Sequence, residues 1–276
     1  MLGVETRSDV LTVERDGHVA TLWLDNPDAR NAMGPAFWSD LPLVMAELGA
    51  DDEVRAIVLA AKGKHFTAGI DLTMFGSSLS GEGAGSAVSR RRRFLDEVKR
   101  LQASITSVAD CPKPVIAAVH GACIGGGIDL ISACDIRLCS VDATFSVRET
   151  RMAMVADVGT LQRLPTVIDA GHVAELVYTG KDIDADRART IGLVNHVHHD
   201  HDAVVQAAQD MAAEIAANSP LAVQGSKAVL QRGASLTVDQ GLDLVALWNA
   251  AFIQSDDLSE AVTAFFEKRP PDFKGQ

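Results

Sequence analysis

The sequence predicts an α/β fold, and three observations carry that prediction. Short apolar runs of buried-strand length alternate with helical segments up to Gly159; glycine-rich turns lie where strand gives way to helix; and beyond Gly159 the pattern becomes almost wholly helical. With 276 residues, 47% of them hydrophobic and 22% charged, the chain has the make-up of a soluble globular domain with a helical appendage. A formal net charge of −12 provides no basic face for nucleic acid, so no nucleic-acid partner is expected. The cysteines (Cys111, Cys123, Cys134 and Cys139) form no CxxC pair and sit in or beside apolar stretches. They read as buried free thiols rather than a disulfide framework. No stretch reads as a membrane span: the most apolar window, residues 114–133, is broken by His120, Asp129, Ser132 and its glycines. The N-terminus lacks the apolar segment of a signal peptide and the C-terminus lacks Ser-Lys-Leu, so a cytoplasmic location is expected.

In chain order, Val10–Val13 and His18–Leu24 predict strands joined at Asp16-Gly17 by a tight hairpin. Asn26-Pro27 marks a turn, and Asn31 is placed to cap a helix over Phe37–Leu48. Val54–Ala61 is the next buried strand. It runs into residues 62–72, a glycine-containing loop that reads either as an ordinary connection or as a place where backbone N–H groups face a ligand. Residues 76–89, rich in glycine and serine, read as a mobile loop. Phe94, Val98, Leu101, Ile105 and Val108 recur at helical spacing, which predicts an amphipathic helix over 90–108. Its opening run Arg90–Arg93 reads as a solvated face, or as a contact for an anion or a second subunit. Cys111-Pro112-Lys113-Pro114 stops that helix. Val115–Val119 is a strand, followed by three glycines, a helix over Ile128–Ala133, and strands at Ile136–Ser140 and Thr144–Val147. Helices are then expected at 160–169, 172–178, 185–191, 202–217, 221–231, 236–253 and 258–268, with Asp184, Ser219-Pro220, Thr237 and Asp257 as start signals and one β-like run at Leu193–Val197. The expected division is a core over 1–200 and a helical region over 201–276, whose apolar last helices must pack on the core or on other subunits.

The chemistry gathers after Cys123. Gly125, Gly126 and Gly127 lead directly into a helix, and such a turn presents free N–H groups at the positive end of a helix dipole. Aimed at a carbonyl, those donors make an oxyanion hole. Asp129, Glu149 and Asp157 follow, and carboxylates there can move protons on the carbon beside that carbonyl. Taken singly, each acid also has a plain structural reading. Asp129 suits a helix N-terminus, Asp157 could cap the helix beginning near Thr160, and Glu149 could pair with Arg148 or Arg151. His120, with no acid–base partner in sight, reads as structural, and no metal-ligand spacing occurs.

The segments ARNAM (29–33), HFTAGIDL (65–72), the run over 111–140, GTLQRLP (159–165), ARTIGLVN (188–195) and FFEKRPPDF (265–273) together resemble the crotonase, or enoyl-CoA hydratase/isomerase, superfamily over nearly the whole chain. The resemblance implies a spiral of ββα units followed by a helical trimerisation region, a homotrimer or homohexamer, and an acyl-CoA thioester as substrate. Coenzyme A is then part of the substrate, and no separate cofactor is expected. By the same resemblance the oxyanion hole is formed by the N–H groups of Ala68 and Gly126, with Thr67, Gly69, Ile70, Asp71 and Gly127 against the substrate. Arg30 and Lys268, the latter from this chain or an adjacent subunit, are expected to meet the CoA phosphates. Hydratases of the superfamily carry two glutamates and a water-holding glycine where this chain has Asp129, Glu149 and Asp157. That trio resembles the Δ3,5-Δ2,4-dienoyl-CoA isomerases. The resemblance makes Asp157 the base at C2, Glu149 the acid at C6 and Asp129 a group that tunes the pair. A hydratase, another crotonase with a different acyl group, and a binding protein without turnover are the competing expectations.

Overall fold

The computed structural model describes residues 8–75 and 86–276. The strands are β1 (Leu11–Asp16), β2 (Val19–Leu24), β3 (Ala56–Ala61), β4 (Val115–Val119), β5 (Ala122–Ile124), β6 (Ile136–Ser140), β7 (Thr144–Ser146), β8 (Ile183–Asp184) and β9 (His196–His198). The helices are α1 (Pro35–Ala50), α2 (Ala87–Asp110), α3 (Gly126–Ser132), α4 (Thr160–Arg163), α5 (Ala170–Thr179), α6 (Ala185–Thr190), α7 (His201–Ala216), α8 (Pro220–Gly233), α9 (Val238–Phe252) and α10 (Asp256–Glu267). The alternation expected of an α/β chain is therefore present.

The larger sheet has the order β1-β2-β3-β4-β6-β9, and only its β1–β2 hairpin pair is antiparallel. β3 and β4 are apolar along their whole length because both faces are covered. Ile57, Leu59, Val115 and Ala117 face a cluster that includes Trp38 and Leu41 of α1 and Ile105 of α2. Val58, Ala60, Ile116 and Ala118 face Val204, Ala208, Ala212 and Ala216 of α7. The small side chains of α7 let it lie close on the strands. A second sheet, β5-β7-β8, carries the chain into the glycine turn.

Several expectations change. α7 closes the core sheet instead of opening the appendage, so the helices that do not cover the sheet begin at α8. Asn31 caps no helix: Gly34 precedes α1, and Pro35 occupies its first turn. The Asn31 amide instead accepts from the Asn26 N–H and donates to the carbonyls of Lys62 and His65, which ties the loop after β2 to the loop after β3. The helix expected over 160–169 breaks at Pro165 into α4 and a 3₁₀ turn, Leu164–Thr166. Ser255, not Asp257, caps α10. Residues 76–85 of the predicted loop lie outside the described residues, and 87–89 belong to α2. α9 has no buried residue, and Leu247, Phe265 and Phe266 are exposed by 71%, 78% and 77%. Among the described residues no helix is long and apolar enough to cross a membrane.

Candidate active site

Two loops meet at the front of the sheet. The first, residues 65–72, is held by long-range backbone bonds: the Phe66 and Thr67 N–H groups donate to His120 O and Ala122 O, and the Met33 N–H donates to Gly69 O at 2.8 Å. The second is the turn after β5. The Gly125 N–H donates to Ser146 O at 2.8 Å, with Gly125 in the left-handed region (φ 54°), and α3 starts at Gly126. The loops touch closely. Gly69 (φ 90°) could carry no side chain, because a Cβ would come within 2.6 Å of Ile124 O. That same position is 3.6 Å from Gly126 N, while a Cβ on Gly126 would lie 3.7 Å from Ile70 N. Among the described residues the N–H groups of Ile70 and Gly126 have no acceptor.

This corrects one expected donor. The Ala68 N–H is already spent on Arg30 O at 3.0 Å. The free donor of this loop lies two residues on, at Ile70. Thr67 and Gly127 shape the loops rather than face a ligand. Thr67 is fully buried, and its hydroxyl donates to Asn31 O at 2.6 Å and accepts the Gly69 N–H. A Cβ on Gly127 would strike Thr67 Cγ2 at 2.6 Å. Asp71 accepts the Thr73 N–H and so opens the short turn Leu72–Phe75. Arg30 is exposed, with its carbonyl on Ala68. Lys268 ends α10 in the left-handed region, exposed, and does not line the pocket of this chain.

The donors open on a cavity of about 350 Å³. Ile70, Gly126, Asp129, Glu149 and Asp157 line it, with an apolar wall of Trp38, Met74, Phe94, Val98, Leu101, Met154, Val155 and Val158, and Glu97. The spacing of Phe94, Val98 and Leu101 disclosed an amphipathic helix; that its apolar face forms a pocket wall emerges only in three dimensions. Ile70 was expected against the substrate but not as the N–H donor, and Glu97 carried no sequence signal for the site.

The three acids line one pocket; Asp129 also stands at a helix N-terminus, whereas neither the Asp157 cap nor the Glu149 ion pair forms. Asp129 is fully buried in the first turn of α3. Its Oδ1 accepts the Thr160 N–H at 2.5 Å, so Asp129, not Asp157, serves the start of α4, while Oδ2 has no partner. Burial, reinforced by the charges of Glu149 and Asp157 and opposed by the hydrogen bonds from Thr160, pushes its carboxyl up to about 7. Glu149 stands over the glycine turn, its Oε1 3.4 Å from where a Gly125 Cβ would be, and its buried Oε2 is unpartnered. It forms no ion pair with its neighbours. Arg148 pairs with Asp182, and Arg151 donates to Thr179 O at 3.2 Å. Burial, then the Asp157 charge, raises the Glu149 carboxyl. Asp157 lies more exposed at the rim, and partial burial raises its carboxyl too. The arrangement thus combines two free N–H donors with carboxyl groups biased toward holding protons, in an otherwise apolar cavity.

His120 is buried, with Nε2 2.9 Å from Gly63 O and its ring stacked on His201 at 3.7 Å. The cysteines are free and buried. Residues 14–276 match the sequence family described as enoyl-CoA hydratase/isomerase. The chain belongs to the enoyl-CoA hydratase/isomerase family. Within it, the chain is 46% identical over 259 residues to the mitochondrial Delta(3,5)-Delta(2,4)-dienoyl-CoA isomerase of Dictyostelium discoideum, covering 93% of this chain and 87% of that one. It is 43% identical over 269 residues to the peroxisomal isomerase of the same name from Arabidopsis thaliana, covering 96% of each. A solved putative enoyl-CoA hydratase from Streptomyces coelicolor A3(2) superposes with a TM-score of 0.89 at 31% identity, over 100% of this chain and 98% of that one. The crotonase-type architecture of the family is therefore the architecture of this protein.

Proposed function

We propose that the protein is a Δ3,5-Δ2,4-dienoyl-CoA isomerase of fatty-acid β-oxidation. The observation that carries the reading is the pair of carboxyl groups, Asp157 and Glu149, lining one pocket with two unsatisfied N–H donors. The thioester carbonyl of a 3,5-dienoyl-CoA accepts from Ile70 and Gly126. The Asp157 carboxylate takes a proton from C2, and the electron pair spreads through the diene onto the thioester oxygen. The negative charge of the dienolate meets donors already in place, each worth on the order of 3 kcal/mol. Glu149, protonated at the start, gives its proton to C6, and the double bonds come to rest at C2 and C4. Raised carboxyl groups suit both roles, since a base and an acid work best when tuned toward neutral pH. Asp129, deeper and held by the Thr160 N–H, is the group that tunes the pair. This proton transfer consumes no cofactor, and coenzyme A stays with the substrate. The reading extends to a homotrimer or homohexamer in the cytoplasm, with Arg30 and Lys268 on the CoA phosphates.

The competing reading, hydration of a 2-enoyl-CoA, draws support from family members of known structure named enoyl-CoA hydratase. The test runs both substrates side by side. A 3,5-dienoyl-CoA is followed by absorbance for the conjugated product, and a 2-enoyl-CoA for loss of its double bond. Fast conjugation, lost by about 10²–10⁴-fold in Asp157→Asn and in Glu149→Gln, is the expected result. Fast hydration with little conjugation sinks the Asp157 assignment. Binding without turnover of either ester sinks catalysis altogether.

A further inference from the structure

The three acids differ in how they are held. Asp129 is fixed by the Thr160 N–H at 2.5 Å. Glu149 lies in a 3₁₀ turn whose flanks are tied down: Arg148 Nε donates to Ser146 Oγ, Thr150 Oγ1 donates to Val177 O at 2.8 Å, and the Met154 N–H donates to Glu149 O at 3.0 Å. Asp157 sits in residues 154–157, which adopt no regular structure, and its carboxyl accepts no hydrogen bond from another side chain among the described residues. Its placement therefore depends on its backbone, and that backbone has a tether. Gln102 of α2 donates from Nε2 to Asp157 O at 2.6 Å. The amide is oriented for this, because Lys99 Nζ, one turn earlier, donates to Gln102 Oε1 at 3.1 Å and leaves the NH₂ end toward the loop. Just beyond, Arg163 Nη2 donates to Thr106 Oγ1 of the same helix at 2.8 Å. Thus α2, which also supplies Phe94, Val98 and Leu101 to the pocket wall, carries the rim loop.

We propose that Gln102 is a positioning residue, which holds the Asp157 carboxylate at the substrate by fixing the Asp157 carbonyl to α2, with Lys99 setting the amide's orientation. Nothing about Gln102 touches the reacting atoms. Its effect passes through where Asp157 stands, and a displacement on the order of 1 Å in a proton-transferring group costs about 10²-fold in rate. The proposal rests on Asp157 acting as the base. The other charged groups on this pocket are Glu149 and Asp129, and Glu97 on α2, itself paired with Arg100.

The test uses the full chain and 3,5-dienoyl-CoA. Gln102→Met removes the donor at nearly constant size. Gln102→Glu keeps the acceptor for Lys99 but turns an oxygen on the Asp157 carbonyl; it serves as the second variant where the first fails to fold. The expected result is a fall in kcat of at least tenfold with KM within twofold of wild type. The acid limb of the kcat profile should move to lower pH, because a freed Asp157 loses the burial that raises it. In an Asp157→Asn background the same change should cost nothing further, as expected of two residues acting through one group. Wild-type kcat with an unmoved acid limb overturns the proposal, and so does an equal fall in both backgrounds. If the wild-type protein does not isomerise the diene, the isomerase reading fails by itself. The tether is then judged by the ¹³C carboxyl resonance of Asp157, assigned by its loss in Asp157→Asn: a titration displaced by Gln102→Met sustains the tether, and an unchanged one overturns it.

Discussion

At the scale of single residues, the site is governed by which polar groups are left without partners. Ala68 and Ile70 are two residues apart in the same loop, yet only Ile70 keeps its N–H free, because the carbonyl that occupies Ala68 comes from Arg30, distant in sequence. No local pattern encodes that pairing, so the sequence located the loop but not the atom. Gly69 holds the arrangement, with φ at 90° and Ile124 O 2.6 Å from any Cβ. Gly69→Ala is expected to cost about 1–3 kcal/mol in stability and to lower kcat by about 10²-fold as the Ile70 N–H moves. Gly126→Ala meets the end of the Met33 side chain at 3.0 Å and Ile70 N at 3.7 Å, without a left-handed backbone, and should lose less stability than Gly69→Ala in parallel melts. Asp129 makes a prediction about pH. Its carboxyl rises from 3.8 to about 7 on folding, so the native state binds the proton more tightly. Its stabilising contribution is complete below about pH 4 and is lost as pH climbs through 7. Asp129→Asn should flatten that stretch of the Tm-against-pH curve and melt higher than wild type at pH 8. A parallel curve with no gain at pH 8 refutes the buried-carboxyl assignment.

Among the elements, what was readable and what was not divide along a physical line. Strands β3 and β4 announced themselves as apolar runs because both faces are covered, and α2 through its periodicity. Ser219 and Thr237 were legible as caps because a cap is a local hydrogen bond, realised at Ala222 N and Gln240 N. Asp257 was misread for the opposite reason. It is 3% exposed, accepts the Ser219 hydroxyl at 2.6 Å and takes the Lys274 and Gly275 N–H groups, so it joins α8, α10 and the final residues. Its partners lie far away in sequence or beyond the helix. Asp257→Ala should therefore destabilise the fold by about 2–4 kcal/mol, against about 1 kcal/mol for an ordinary cap, as read by denaturant midpoints. A loss no larger than that of Ser255→Ala would reduce it to a capping role. The trio Asp129, Glu149 and Asp157 lay in between. Spacing and resemblance brought the acids together on paper, but their burial and missing partners are products of the folded chain.

For the whole molecule, the unbalanced feature is the apolar surface of the last two helices. Phe265 and Phe266 stand more than three-quarters exposed, and α9, which packs Trp248 on Gly225 of α8, has no fully buried residue. Exposed aromatic surface of this kind marks an interface. Sedimentation is expected to return a trimer or hexamer, and the double change Phe265→Glu, Phe266→Glu to return smaller species. A monomeric wild-type protein would defeat that expectation. The expected division at residue 200 misses this surface by one helix, because the alanines of α7 belong to the core sheet and only the segments after it face outward.

Asp157 and Glu149, the proposed base and acid, are unequally exposed. A shuttle that takes a proton at Asp157 and releases another from Glu149 ends each turnover with its charges interchanged, so substrate meets one tautomer of the enzyme and product departs from the other. The resting form must be regenerated between encounters. Asp157 exchanges its proton with solvent at the rim, and because the buried oxygen of Glu149 has no such direct outlet, a proton must then pass inward from Asp157 to restore the protonated Glu149. Isotope lifted from C2 should therefore wash into the medium instead of reappearing at C6, and at saturating substrate the pace of recharging, rather than the bond changes themselves, can set the ceiling on turnover.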